Sequence, residues 1–323
     1  MKAFLCAGLS LGIMLAAAPA QAQADKWPSK AIQLVVPYTP GGSTDTLGRI
    51  VAQKLSARLG QTVIVENVAG ANGSLGARAV ARSEPAGYSL LLANMGILTI
   101  NPHLYANMGF NPRTDLQPVR MAASLANLLV VRADLPANDI NGLIGLAKAQ
   151  PGKLTYVSAG IGSSQHLAGV LFSRATDTNL MHVPYKGGSP ALQDLLAGRV
   201  DMMFANFSEV RGLVESGKLK GIAFGKTSTE YPLPNIPPMS TVVPGFEISN
   251  WYGILARAGT PPEIVQKLEK ALGEALEDSD LKSRLAKLDF DVTPLTSKEF
   301  GAVIDADYAR WGKIVKEVGI TVD

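Results

Sequence analysis

The sequence predicts a two-lobed α/β protein, each lobe a sheet flanked by helices. Three observations carry that expectation. A rhythm of strand, glycine-rich turn and helix runs from Ile32 to Ala93 and returns from Leu128 to Phe224. Two amphipathic helices then close the chain, beginning at Pro262 and Ser297. Between the second series and those helices lies a connection, Tyr231 to Gly245, carrying Pro232, Pro234, Pro237, Pro238 and Pro244, where no packed element is expected. With the terminal helices packed back on the first lobe, the chain crosses between lobes twice, near Ser124 to Asn127 and near Val243 to Asn250. Two crossings allow a hinge. The expected units are 25–125 with 247–323 as lobe 1, and 126–246 as lobe 2.

Residues 1–24 read as an export signal. Lys2 supplies the charge, Leu9 to Ala18 the apolar run, and Ala20-Gln21-Ala22 or Ala22-Gln23-Ala24 a small-residue cleavage site. Pro19 interrupts that run before it reaches spanning length, and no later stretch is long and apolar enough for a membrane helix. The single cysteine, Cys6, lies within the signal behind the bulky Phe4 and Leu5, which do not suit lipoprotein cleavage. A mature chain without cysteine excludes disulfides, thiol catalysis and thiolate metal sites. Without Lys2 the chain has 29 basic and 27 acidic residues, a formal charge of +2. Charged residues make up 18% and are dispersed, so nothing points to nucleic acid, and an anionic ligand has to be held mostly by dipoles.

The first strand, Ile32 to Val36, leads through Pro37-Tyr38-Thr39-Pro40-Gly41-Gly42 into a helix with Leu47, Ile50, Val51 and Leu55 on one face. Ser43, Thr44 and Asp45 are residue types that open helices. The first N–H groups of a helix have no intrahelical partner and the dipole adds positive charge, so a carboxylate or phosphate can dock there without a basic side chain. Gly41 and Gly42 allow close approach to the backbone. Next come a short strand at Val63 to Val65, the loop Gly70 to Gly76 with a small-residue helix to Ala81, and a strand from Tyr88 to Ala93 ending at Asn94. This order argues for a parallel sheet with ligand groups at the carboxyl ends of its strands.

The second series repeats the theme. A strand at Leu128 to Val131 precedes a helix near Ile140 to Ala149. The strand Leu154 to Ser158 enters Ala159-Gly160-Ile161-Gly162-Ser163-Ser164-Gln165-His166 and a helix presenting Leu167, Val170 and Leu171. Met181 to Tyr185, a turn at Lys186-Gly187-Gly188, a helix from Pro190 to Ala197, the strand Val200 to Phe204 ending at Asn206, and the strand Leu219 to Phe224 follow. Two hydroxyl-bearing helix starts, one per half, suggest two walls of one site.

These residues resemble the solute receptors of tripartite tricarboxylate transporters, the Bug-type periplasmic binding proteins. The matching features, in order over the mature chain, are the Trp27-Pro28 start, Leu34 to Asp45, Gly60-Gln61 with Val65-Glu66-Asn67, Gly70 to Gly76, and Gly87 to Leu91. They continue with Gly160 to His166, Val183 to Gly187, Gly198 to Asp201, and Gly259-Thr260-Pro261. The resemblance implies a type II-like periplasmic binding fold that closes on a small mono-, di- or tricarboxylate and delivers it to integral-membrane transporter subunits. It also implies a periplasmic location and a monomer with no cofactor. One ligand carboxylate is implied at Gly41, Gly42, Ser43, Thr44 and Asp45, beside Tyr38. The opposite wall is implied at Ser158, Gly160, Gly162, Ser163, Ser164 and His166, with Asn94 and Asn206 ending strands at the cleft. Tyr38-Thr39 departs from the Phe and second Pro of many members, which adds hydroxyls at the rim.

Asp45 suits a helix cap or the orientation of a bridging water; Ser43 and Thr44 suit capping or ligand contact. His166 either donates to a carboxylate or fixes its turn. His103 and His182 are expected to be structural, and three scattered histidines give no metal site. Gly160 to Ser164 lacks the last glycine of a nucleophile elbow. Gly212 to Leu219 ends in Leu where a phosphate loop has Ser or Thr, and the third glycine of a dinucleotide fingerprint is absent. The expected class is therefore a binding protein and no enzyme. A receptor that presents ligand to a sensor is the alternative, and an exported hydrolase using Ser163 or Ser164 with His166 ranks below both.

Overall fold

A computed structural model describes residues 27–225, 233 and 235–319. The export segment and, within the proline-rich connection, Tyr231, Pro232 and Pro234 lie outside the described residues. The first unit contains β1 (Ile32–Val36), α1 (Ser43–Leu59), β2 (Val63–Asn67), α2 (Ser74–Ala81) and β3 (Ser89–Asn94). A π-helical turn, Gly96–Ile100, runs into the short α3 (Asn101–Leu104). β4 (Leu116–Arg132) leads to α4 (Ile140–Ala149), β5 (Thr155–Ser158), α5 (Ser164–Thr176), β6 (Met181–Pro184), α6 (Gly188–Leu196), β7 (Met202–Asn206), α7 (Phe207–Glu215) and β8 (Leu219–Phe224). The chain ends with β9 (Ser249–Arg257), α8 (Pro262–Leu276), α9 (Ser279–Lys287), β10 (Phe290–Val292) and α10 (Ser297–Val318).

β1, with the apolar sequence Ile-Gln-Leu-Val-Val, is buried at four of five positions and pairs parallel with both β2 and β3. α1 lays Leu47, Ile50, Val51 and Leu55 on this sheet and against α8, whose Leu268 and Leu272 are also fully buried. A Cβ at Gly48 would stand 2.7 Å from Val36 Cγ2, so the missing side chain sets the helix-to-strand distance. Gly60, left-handed at φ 67°, terminates the helix. The sheet is mixed, not wholly parallel as the rhythm predicts. β9 runs antiparallel to β3 on one side and to β4 on the other, because the chain re-enters this half from the far end.

β4 joins the two halves. Leu116 to Ala126 pair with β9, and Asn127 to Val131 pair with β7. Two register shifts, between Pro118 and Arg120 and between Met121 and Ala123, interrupt its β9 ladder. Bulges of this kind bend a strand and increase its twist. Pro118 and the register shifts also explain why the sequence reveals only Leu128 to Val131 of this strand: alternation is lost where residues are inserted. In the second half β5 pairs parallel with β6 and β7, while β7 and β8 pair antiparallel with β4. α7, α9, β10 and the π-helical turn were also beyond the sequence pattern. α7 follows β7 without a loop, Asn206 being both the last strand residue and the helix N-cap. The run Gly212 to Leu219 that imitates a phosphate loop is the end of this helix, a turn and the start of β8. That is the reverse of the strand-to-helix order a phosphate loop needs.

Candidate functional site

α1 begins at the carboxyl end of β1. Its N-cap is Gly42, which has no side chain to cap the helix, and the first intrahelical bond runs from Thr46 N to Gly42 O. Ser43 N instead donates to Oε1 of Glu209 at 2.9 Å. Asp45 turns away from this end: its Oδ2 accepts from Gly41 N at 3.0 Å, its Oδ1 from Asn67 Nδ2 at 3.0 Å, and it pairs with Arg49 at 3.0 Å. Burial pushes the Asp45 carboxyl up, but these bonds outweigh it and hold its pKa below the ordinary value. Ser43 Oγ accepts from Asn206 Nδ2 at 2.7 Å and lies 3.2 Å from the Tyr252 hydroxyl. The Tyr38 hydroxyl donates toward Asn72 Oδ1 at 3.1 Å and accepts from Asn94 Nδ2 at 3.0 Å. Burial raises its pKa, so it stays protonated and rigidifies the rim.

α5 begins at the carboxyl end of β5. Ser163 caps it, its Oγ accepting from His166 N at 3.2 Å. The first intrahelical bond runs from Leu167 N to Ser163 O, which leaves the N–H groups of Ser164 and Gln165 pointing out of the helix end. Behind the turn, His166 Nδ1 accepts from Gly162 N at 3.2 Å, so its proton sits on Nε2. Its ring stacks on that of His182 at 4.2 Å. His182 Nε2 is 2.7 Å from Ser158 Oγ, which in turn accepts from Gly160 N at 3.1 Å. Burial, with His182 alongside, lowers the His166 pKa to about 3, and burial lowers that of His182 to about 4. Both imidazoles are neutral at neutral pH, and together they buttress the turn.

The two helix ends face each other across a cavity of about 30 Å³. Of the residues the sequence singles out, Tyr38, Gly42, Ser43, Thr44, Asn94, Ser163, Ser164 and Asn206 line it. Gly41, Asp45, Ser158, Gly160, Gly162 and His166 do not; they shape or brace the two turns. Sequence reasoning passes over Thr39 as a lining residue and over Ala159, Gln165, Gly188, Glu209, Asn250 and Tyr252. Tyr252 arrives because β9 pairs with β3 in a register that sets it opposite Asn94. Glu209 has a weaker signal: an acidic residue three positions after the strand-ending Asn206. In the hydrolase reading a histidine activates Ser163 or Ser164. Here Nδ1 of His166 is engaged by Gly162 N, and Ser163 Oγ accepts from the His166 backbone.

Contacts across the cleft keep the walls together. The Tyr105 hydroxyl donates to Ile161 O at 3.2 Å, and Arg211 on α7 pairs with Asp289, just before β10, at 2.7 Å. A Cβ at Gly162 would stand 2.5 Å from Asn101 Oδ1, so the second turn sits directly on the Asn72–Asn101 pair of the first half. A cavity of about 30 Å³ has room for about two waters. Entry of an organic ligand therefore requires the walls to separate.

Comparison with known proteins adds to this geometry. Residues 47–320 match the model of the tripartite tricarboxylate transporter family receptor, TctC. The chain is similar to the periplasmic binding protein BugD, with 34% identity and a TM-score of 0.86 over 91% of this chain and 99% of that one. It is similar to Rpa4515 of R. palustris, solved with adipate, at 34% identity and a TM-score of 0.88 over 91% and 99%. MatC from Rhodopseudomonas palustris, solved with bound malate, gives 29% identity and a TM-score of 0.85 over 90% and 100%. The architecture is that of the two-lobed periplasmic binding proteins, and no helix of the described residues is long and apolar enough to cross a membrane. The chain belongs to the tripartite tricarboxylate transporter receptor family.

Proposed function

We propose that this protein is an exported, periplasmic solute receptor that captures a small organic carboxylate between two lobes, 25–125 with 247–323 and 126–246, and delivers it to integral-membrane transporter subunits without chemical conversion. The observation that carries the reading is the convergence of two helix N-termini, those of α1 and α5, on one cavity. Both ends carry partial positive charge, and that of α5 offers outward N–H groups with no ion pair required. The N–H groups of Ser164 and Gln165 are the seat for the ligand's carboxylate, since the first N–H of α1 already serves Glu209. The adipate of Rpa4515 and the malate of MatC support a small carboxylate.

The mechanism is a shift of population. A ligand touching both walls binds the closed arrangement better than the open one and favours it in proportion to that difference. The cross-cleft contacts Tyr105–Ile161 and Arg211–Asp289 then mark the closed state that a transporter recognises. The test is titration calorimetry with thermal unfolding over mono-, di- and tricarboxylates. At least one is expected to raise the unfolding midpoint in a concentration-dependent way. A panel without any stabilising member, titrated against protein freed of carried-over ligand by refolding, overturns the reading.

A further inference from the structure

Among the described residues, two acceptors in the cavity lack donors, and they share one hydrogen-bonded cluster. Glu209 is partly buried on α7. Its Oε1 accepts from Ser43 N at 2.9 Å and from Asn206 Nδ2 at 3.3 Å, while its Oε2 is buried and accepts from no group among the described residues. Gly188 packs closely beside that oxygen: a Cβ there would stand 3.0 Å from it. Asn250 is 4% exposed; its Nδ2 donates to the Tyr252 hydroxyl at 2.9 Å and its Oδ1 is likewise buried and unmatched. The two residues connect through Asn206, Ser43 and Tyr252.

A buried acceptor without a donor costs free energy, the more so when it carries charge. A plain carboxylate brings only acceptors and a like charge to this corner. Among the described residues no lysine or arginine forms an ion pair with Glu209, in contrast to Asp45, which has Arg49. A ligand hydroxyl supplies a single hydrogen and no charge. A ligand ammonium supplies three hydrogens and the charge that Glu209 lacks.

We propose that the cleft selects carboxylates that also carry an ammonium group, with the cationic nitrogen between Glu209 Oε2 and Asn250 Oδ1 and the carboxylate at the N-terminus of α5. This rests on the carboxylate reading above for the anionic end; the cationic seat stands on Glu209 and Asn250. Glu209 is then the specificity-determining residue, giving the first wall the opposite polarity to the second.

The test titrates the protein with matched ligands that differ only in the amino group: aspartate against succinate, glutamate against glutarate, and 4-aminobutyrate against butyrate, with butylamine as the cation alone. The amino-bearing member of at least one pair is expected to bind about tenfold or more tighter, the effect of one charge-assisted hydrogen-bonded contact. In Glu209→Gln, which keeps an acceptor for Ser43 N, that preference falls to within about threefold and the affinity for the plain dicarboxylate rises. Glu209→Ser repeats the measurement with the side chain shortened, and thermal unfolding of both variants verifies that they fold. Succinate, glutarate and butyrate all binding as tightly as their amino partners overturns the proposal and leaves the carboxylate reading intact. A preference for the amine that persists in both variants also overturns it. Butylamine bound in a Glu209-dependent way, with no carboxylate bound, supports the cationic seat and sinks the carboxylate reading instead.

Discussion

The N-termini of α1 and α5 look alike in sequence, each following a strand and a glycine-bearing turn with adjacent hydroxyls, yet they are finished differently. α5 is capped from within by Ser163, and its turn is braced by the His166–His182 stack and by Ser158. α1 has a glycine N-cap and takes its first acceptor, the Glu209 carboxylate, from the other half of the chain. One end is therefore complete in itself and open to an anion. The other is completed across the cleft and already faces an anion. Shared pattern in sequence gives shared backbone geometry, but polarity is decided by what the second half of the chain brings to it.

The largest break in this comparison is expected at Gly162. It sits at φ 84°, and a Cβ would stand 2.5 Å from Asn101 Oδ1, which is itself buried and bonded to Asn72. Gly162→Ala is expected to cost about 1 to 3 kcal/mol from the strained backbone alone and to prop the cleft open. Ligand affinity, read by calorimetry, should fall by more than about tenfold, because binding energy must then also close a clashing interface.

The histidine brace responds to pH with a definite sign. His166 and His182 have folded pKa values lowered to about 3 and about 4, against about 6.5 when unfolded. The unfolded chain binds their protons first, so the stabilisation is present above about pH 6.5 and is lost as pH falls toward 4, by up to about 1.4 kcal/mol per pH unit for each histidine. Denaturant midpoints taken from pH 7 to pH 4 should decline, and His182→Gln should flatten the decline. A slope unchanged by that substitution assigns the acid sensitivity to the carboxylates instead.

The smallest effect is expected at the matching position of α1. Gly42 has φ −83°, open to any residue, and a Cβ would make only ordinary contacts, 3.6 Å to Glu209 Oε1 and 3.7 Å to Ser189 Oγ. The weaker capping by Ala and the reduced freedom of the unfolded chain oppose each other. Gly42→Ala should therefore change stability by no more than about 0.5 kcal/mol. A loss at Gly42 equal to that at Gly162 removes the distinction between the two ends.

Much of the scaffold was legible because local pattern and tertiary fold agree. The βαβ order at Ile32 to Asn94, the helices at Ser43, Ile140, Pro262 and Ser297, and the return of the terminal helices all follow from periodicity and caps. β4 was legible only at its Leu128 to Val131 end, since the register shifts on either side of Arg120 and Met121 erase the alternation. The cavity was half legible. Positions at strand ends, such as Asn94 and Asn206, and at helix starts, such as Ser43 and Ser163, announce themselves. Tyr252 and Asn250 reach the site through antiparallel pairing with β3 and β4, a relation between segments over 120 residues apart that no local signal carries. Glu209 is visible as a residue, but its approach to Ser43 exists only once the halves meet.

The central claim is the division of labour between the two helix ends, and a structure of the protein with a bound carboxylate tests it most directly. The expected result is a ligand carboxylate oxygen about 2.7 to 3.1 Å from Ser164 N or Gln165 N, with Glu209 still accepting from Ser43 N. A ligand carboxylate on Ser43 N, with Glu209 displaced from it, would contradict the account.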